Sequence, residues 1–168
     1  VIQKINMPIR STPLVNGEYY HVFNRGVAKM QIFNNAFDYK RFIKTMFYYQ
    51  IDNPKPKFSI FAPTTHILNP NKKIVDIACY CLMPNHFHFL IQQIKEKGIS
   101  EFISKLSNSY TKYFNIKNKR IGSLLQGQFK AVRVETNEQL LHLSRYIHLN
   151  PLVGYVVDDL ELYPWSSH

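Results

Sequence analysis

Apolar residues recur along the chain in two periods, and each period predicts a kind of element. Glu18–Asn24, rich in aromatic and β-branched residues, reads as a first strand, which Arg25–Gly26 turns. Over Ala36–Gln50, residues Phe42, Ile43, Met46, Phe47 and Tyr49 fall at helical spacing while Lys40, Arg41 and Lys44 face elsewhere, and Pro54 and Pro56 stop that helix. Lys57–Asn71 is rich in turn residues and is expected to be an insertion containing a short strand. Ile74–Leu82 is dense in β-branched and apolar residues, hence a buried strand; Met83–Pro84–Asn85 is a turn and His86–Ile94 the strand after it. Ser100 is expected to cap a helix reaching about Ile116, with Phe102, Ile103, Leu106, Tyr110, Tyr113 and Phe114 on its apolar side. Gly122 and Gly127 break the chain before a last strand, Phe129–Glu135. Thr136-x-x-Gln139 has the form of a capping box and opens a helix to about Leu149, stopped by Pro151.

The resulting order is β-α-β-β-α-β-α. Its first six elements match the ferredoxin-like unit, an antiparallel sheet with two helices on one face, so the expected class is α+β with an added C-terminal helix. No internal repeat interrupts this order. The 168 residues suit a single domain over 1–168, with a core of about 18–155 and a native chain free to continue past residue 168.

Composition narrows the function. Hydrophobic residues make up 45% and charged residues 19%, so the chain buries a core rather than forming a disordered tail. Two cysteines are too few for a disulfide scaffold, and no Cys-x-x-Cys pair suggests a zinc finger. Apolar runs fall well short of the roughly 18 residues of a membrane span. Val1–Arg10 holds no apolar signal core, and a cytoplasmic location is expected. The net charge of +10 points to an anionic partner, nucleic acid first. That charge is not evenly spread. Phe102–Val134 holds no acid but carries Lys105, Lys112, Lys117, Lys119, Arg120, Lys130 and Arg133, interleaved with Tyr110, Tyr113, Phe114 and Phe129. A second acid-free stretch, Asn53–Val75, carries Lys55, Lys57, Lys72 and Lys73.

Two places carry candidate chemistry. Strand alternation puts His86 and His88 on one face and Phe87, Phe89 and Ile91 on the other. The histidines then project together, close enough to share one ion, although an open sheet face would accommodate them equally as plain polar residues. On the last helix, Tyr146 and Asn150 are four apart and share a side, whereas Leu140, Leu143 and Ile147 form the packing stripe. A phenol holds its proton at neutral pH and needs a base, or an ion polarising its target, to attack a phosphodiester. Asn150 could lend an amide oxygen to such an ion, from a frayed helix end before Pro151. Cys79 and Cys81 share one strand face and leave a Cys/His site open, but a hard divalent ion suits phosphoryl chemistry better. Tyr110 and Tyr113 are the competing nucleophiles, within the apolar pattern of their own helix. His21 is either a neighbour of the site or part of a structural strand.

Five blocks carry a family resemblance: Glu18-Tyr-Tyr-His-Val-Phe-Asn-Arg-Gly26, Cys79-Tyr-Cys-Leu-Met-Pro-Asn-His-Phe-His-Phe-Leu-Ile-Gln92, Leu125-Gln-Gly-Gln-Phe-Lys130, Arg145-Tyr-Ile-His-Leu-Asn-Pro151 and Tyr163-Pro-Trp-Ser-Ser167. In this order they resemble the single-tyrosine HUH transposases, in particular the REP-associated tyrosine transposases of bacteria. The resemblance implies that His86 and His88 bind magnesium or manganese, with Asn150 at the place of a third ligand. It implies that Tyr146 attacks single-stranded DNA, keeps the 5′ side as a phosphotyrosine and releases a 3′-hydroxyl. It also implies recognition of hairpin DNA beside single-stranded guide sequences.

The expected protein is thus a metal-dependent single-strand DNA endonuclease and transposase. Arg25, Lys112, Lys119, Arg120, Lys130 and Arg133 are the phosphate-contact candidates, chosen by charge and location. A catalytically silent nucleic-acid-binding module on the same fold is the alternative, and a metal phosphodiesterase without a covalent intermediate is a third. The resemblance leaves both a homodimer that exchanges the tyrosine helix and a monomer open.

Overall fold

The computed structural model describes residues 13–55, 57–58 and 71–168. The strand expected within Lys57–Asn71 falls almost wholly outside the described residues. The elements run β1 (Tyr19–Arg25), α1 (Ala36–Tyr49), β2 (Val75–Met83), β3 (His86–Gln93), α2 (Gly98–Lys117), β4 (Lys130–Val134) and α3 (Asn137–Val153). Four antiparallel strands form one sheet in the order β2-β3-β1-β4. This is the ferredoxin-like order, with β1 and β3 at the centre.

The two sheet faces are covered differently. Tyr20, Val22, Phe87, Phe89 and Ile91 pack against Phe42 and Met46 of α1 and Phe102, Leu106 and Tyr110 of α2. Each fully buried Phe there contributes on the order of 2–3 kcal/mol. The opposite face carries Cys79, Cys81, Met83, Leu90 and Val134, and Ile147 of α3 seals it with Leu140 and Leu143 at its edge. The stripe expected on the last helix is therefore its packing stripe, and α3 crosses β2, β3 and β4.

Asp38 fastens α1 to α2. It is fully buried, accepts hydrogen bonds from Tyr113 Oη at 2.9 Å and the Asn34 amide at 2.9 Å, and pairs with Lys117 Nζ at 2.5 Å. Burial opposes ionisation of this carboxyl, and the hydrogen bonds from Lys117, Asn34 and Tyr113 offset it, holding its pKa below the ordinary carboxylate value.

Three local expectations are corrected. Ser100 does not cap α2, which starts earlier, at Gly98. The Ile99 amide there donates to Gln93 Oε1 at 3.2 Å, so a side chain of β3 does the capping from outside the helix. Gly98 is required because a Cβ would lie 2.2 Å from the Ile74 carbonyl oxygen. On α1, Phe47 is exposed and Tyr48 takes the buried position. Finally, α3 runs through Pro151 to Val153. Proline removes only the bond to the Ile147 carbonyl, and its ring is buried, which offsets that loss. The Gly154 amide then donates to the Asn150 oxygen at 2.8 Å and closes the last turn. Asn150 accordingly sits within a helix, not at a frayed end.

Candidate active site

The cleft lies where β1 ends and β3 begins, on the face that α3 partly covers. Met83 pairs with His86 across the Pro84–Asn85 turn, which fixes the register of β3. The Gly26 amide donates to the Asn85 oxygen at 2.8 Å, and the Gln126 amide to the Arg25 oxygen at 2.8 Å. These bonds knit the end of β1, the β2–β3 turn and the loop before β4 into one rim. A Cβ on Gly26 would lie 2.3 Å from the Met30 oxygen, so glycine is needed at this crossing. Beyond it, Ala28 and Lys29 both hold left-handed φ values of 50° and 61°, a strained turn that brings Lys29 to the cleft.

Inside the cleft of about 490 Å³ stand His86, His88, Tyr146 and Asn150, with Arg25, Lys29 and Lys130 as its cations. The His86 and His88 rings are perpendicular, with centroids 4.9 Å apart. Asn85 links its Oδ1 to His86 Nδ1 at 2.6 Å, while its Nδ2 donates to the Lys29 oxygen at 3.3 Å. Because Nδ2 is the donor, Oδ1 can only accept, so His86 carries its proton on Nδ1 and keeps the Nε2 lone pair bare. His88 Nδ1 lies 2.9 Å from Nε2 of His21, on the neighbouring strand.

Burial keeps these imidazoles neutral. Desolvation, then the neighbouring rings of His86 and His21, lower the His88 pKa to about 3; desolvation lowers that of His21 to about 4. His86 is also lowered, by burial and then by Arg25. A neutral imidazole is the form that ligates a metal.

Tyr146 enters from α3. Its ring meets His88 edge-on at 5.7 Å and His21 at 6.0 Å, and it is 52% exposed, open to a ligand. Ile147, fully buried beside it, fixes that side of the helix. Asn150, one turn on, donates from Nδ2 to the Tyr146 oxygen at 2.7 Å, which leaves Oδ1 as its atom for another partner.

Two neutral imidazoles with their Nδ1 atoms engaged, plus an amide oxygen, suit a hard or borderline divalent ion with further positions left to substrate. No group of three or more His, Cys, Asp or Glu that could hold a metal occurs among the described residues, so the set depends on Asn150. Cys79 and Cys81 do not compete. They are buried in the layer under α3, and burial pushes their thiols up to about 11 and about 12, keeping the protons on. The rival tyrosines are occupied elsewhere: Tyr110 is buried and donates to the Ile32 oxygen at 2.6 Å, and Tyr113 donates to Asp38.

The cations selected by charge separate into groups. Arg25 and Lys130 line the cleft, with Arg25 Nε donating to Gln126 Oε1 at 2.8 Å. Lys112 lies exposed on α2 and Lys119 just beyond its end, while Arg120 braces the following turn through Asn115 and the Ser123 oxygen. Arg133 is paired with Glu18 at 2.9 Å, so its charge is already met. Sequence reasoning missed Lys29, Asn85, Gln126 and Gln128 at the cleft. Three of these lie in the Met-Pro-Asn-His and Leu-Gln-Gly-Gln blocks, where the signal was block membership without an assigned role. Lys29 had no signal, because a strained turn brings it in.

Comparison with known proteins bears on the family and the fold. Residues 66–150 match the family model described as transposase, IS200-like. Among solved structures, a REP-associated tyrosine transposase bound to a REP hairpin aligns with a TM-score of 0.65 at 12% identity, over 96% of this chain and 82% of that one. The two share a fold. A structure from Deinococcus radiodurans R1, described as a candidate transposase, aligns over 84% of this chain and 95% of that one at 12% identity, with a TM-score of only 0.46. None of the curated proteins matches the chain.

Proposed function

The chain belongs to the IS200-like transposase family, and from that membership we propose that it cuts and rejoins single-stranded, hairpin-associated DNA through a covalent phosphotyrosine at Tyr146. The observation that carries this reading is the meeting of Tyr146 with His86 and His88 in one basic cleft, from elements far apart in sequence. Of the described tyrosines, Tyr146 alone lines that cleft.

In this mechanism Arg25, Lys29 and Lys130 hold backbone phosphates at the mouth of the cleft by charge. Tyr146 Oη attacks the scissile phosphorus in line. The phosphorus–O3′ bond breaks, the 3′ oxygen ends as a hydroxyl with a proton balancing the one the phenol loses, and the 5′ side stays on Tyr146. Because one phosphodiester replaces another, a 3′-hydroxyl can reverse the step and join strands without an external energy source. His86, His88 and Asn150 would hold a magnesium or manganese ion, which when bound supplies Lewis-acid polarisation of the phosphate.

The test is a labelled single-stranded hairpin incubated with the protein and a divalent ion, then denatured. A protein–DNA adduct is expected. Binding without cleavage would favour a silent binding module, and cleavage without an adduct would favour a phosphodiesterase.

A further inference from the structure

His21 is the polar ring of β1 that the reaction above does not use. It stands on the same sheet face as Phe23, whose register partner is His88, so the His21 ring reaches His88 diagonally across the strand pair. The Nε2–Nδ1 distance is 2.9 Å and the ring planes differ by 24°. At that distance one proton lies between the two nitrogens, and it has two homes. If His88 Nδ1 donates, His88 keeps a bare Nε2 lone pair. If His21 Nε2 donates, the proton of His88 moves to Nε2, and that nitrogen can no longer ligate.

We propose that His21 is a positioning residue that accepts the Nδ1 proton of His88 and so holds His88 in the tautomer whose Nε2 lone pair is bare. The neighbouring ring shows the same arrangement. His86 is fixed in this same tautomer by Asn85 Oδ1, an atom that can only accept. Asn85 and His21 therefore act as a pair of acceptors, one under each histidine, and both Nε2 atoms are left for one ligand. A free imidazole in water prefers its proton on Nε2, so the acceptor has an energetic task. Outer partners of ligating histidines commonly set tautomer and ring orientation in this way. The role toward a metal rests on the proposed function, but the tautomer itself does not.

Two substitutions divide the hydrogen bond from mere packing. His21→Gln keeps an acceptor oxygen near the position of Nε2, and His21→Leu fills the space without one. Long-range proton–nitrogen NMR of the metal-free protein reads the tautomer of His88 directly. The expected result is a proton on Nδ1 in the native chain and in His21→Gln, and on Nε2 in His21→Leu. Manganese binding followed by electron paramagnetic resonance should weaken about 10–100-fold in His21→Leu and stay within about threefold in His21→Gln. A native His88 protonated on Nε2 would overturn the proposal, and so would equal losses in both variants. Should the native protein bind no manganese, the metal reading fails while the tautomer still decides the role of His21.

Discussion

Tyr146 and His88 meet edge-on, ring centroids 5.7 Å apart, although one belongs to α3 and the other to the centre of the sheet. Ile147 is what holds them so. It is fully buried against Cys81, Met83 and Leu90, and it turns the adjacent Tyr146 into the cleft. Ile147→Ala should cost about 2–5 kcal/mol in urea unfolding by leaving a cavity under α3. It should also lower adduct formation measured under conditions where the variant is folded.

Asn85 orients His86 as an acceptor and ties it to the Lys29 turn. Asn85→Ala should reduce divalent-ion affinity about 10-fold or more in a calorimetric titration. Stability should change little, because the side chain lies at a partly exposed turn.

Binding of single-stranded DNA should weaken steeply with salt. Lys130→Ala should reduce the slope of log affinity against log salt by about one unit, since Lys130 lines the cleft. Arg133→Ala should change it less, because Glu18 already neutralises that guanidinium. Equal changes would place the DNA along the β4 edge instead.

Asp38→Asn should destabilise the chain by about 3 kcal/mol at pH 7, by removing the charge that Lys117 and Tyr113 satisfy. The folded-state pKa of this carboxyl is depressed, so its contribution is present above the unfolded-state value and disappears as pH falls through the folded-state value. Urea midpoints of the two proteins should therefore converge as pH drops below about 4.

Cys79 and Cys81 should resist a thiol-specific reagent in the folded state and react fully in denaturant, because burial keeps both protonated and covered. Rapid labelling of the native protein would show that α3 lifts from the sheet.

The sheet and the site differ in how far the sequence displayed them. Alternation at His86–Gln93 and helical spacing on α3 sufficed to place Tyr146 and the two histidines, since both periods report which side faces a core. The chain could not display Gln93 capping α2, or Pro151 inside α3, because both depend on packing between elements that only the fold brings together. His21 and Asn85 lie in blocks legible in the sequence, yet their partners appear only once the fold brings His21 to within 2.9 Å of His88 and Asn85 to within 2.6 Å of His86.

In the proposed reaction Tyr146 becomes covalently joined to DNA. The direct measurement is mass spectrometry of the protein after reaction with single-stranded hairpin DNA, manganese and a nuclease digest, with Tyr146→Phe alongside. A 5′-phosphate-linked nucleotide is expected on the peptide containing Tyr146 and is expected to be absent in the variant, which stays folded because the ring is half exposed. An adduct on another tyrosine, or one that persists in Tyr146→Phe, would contradict it.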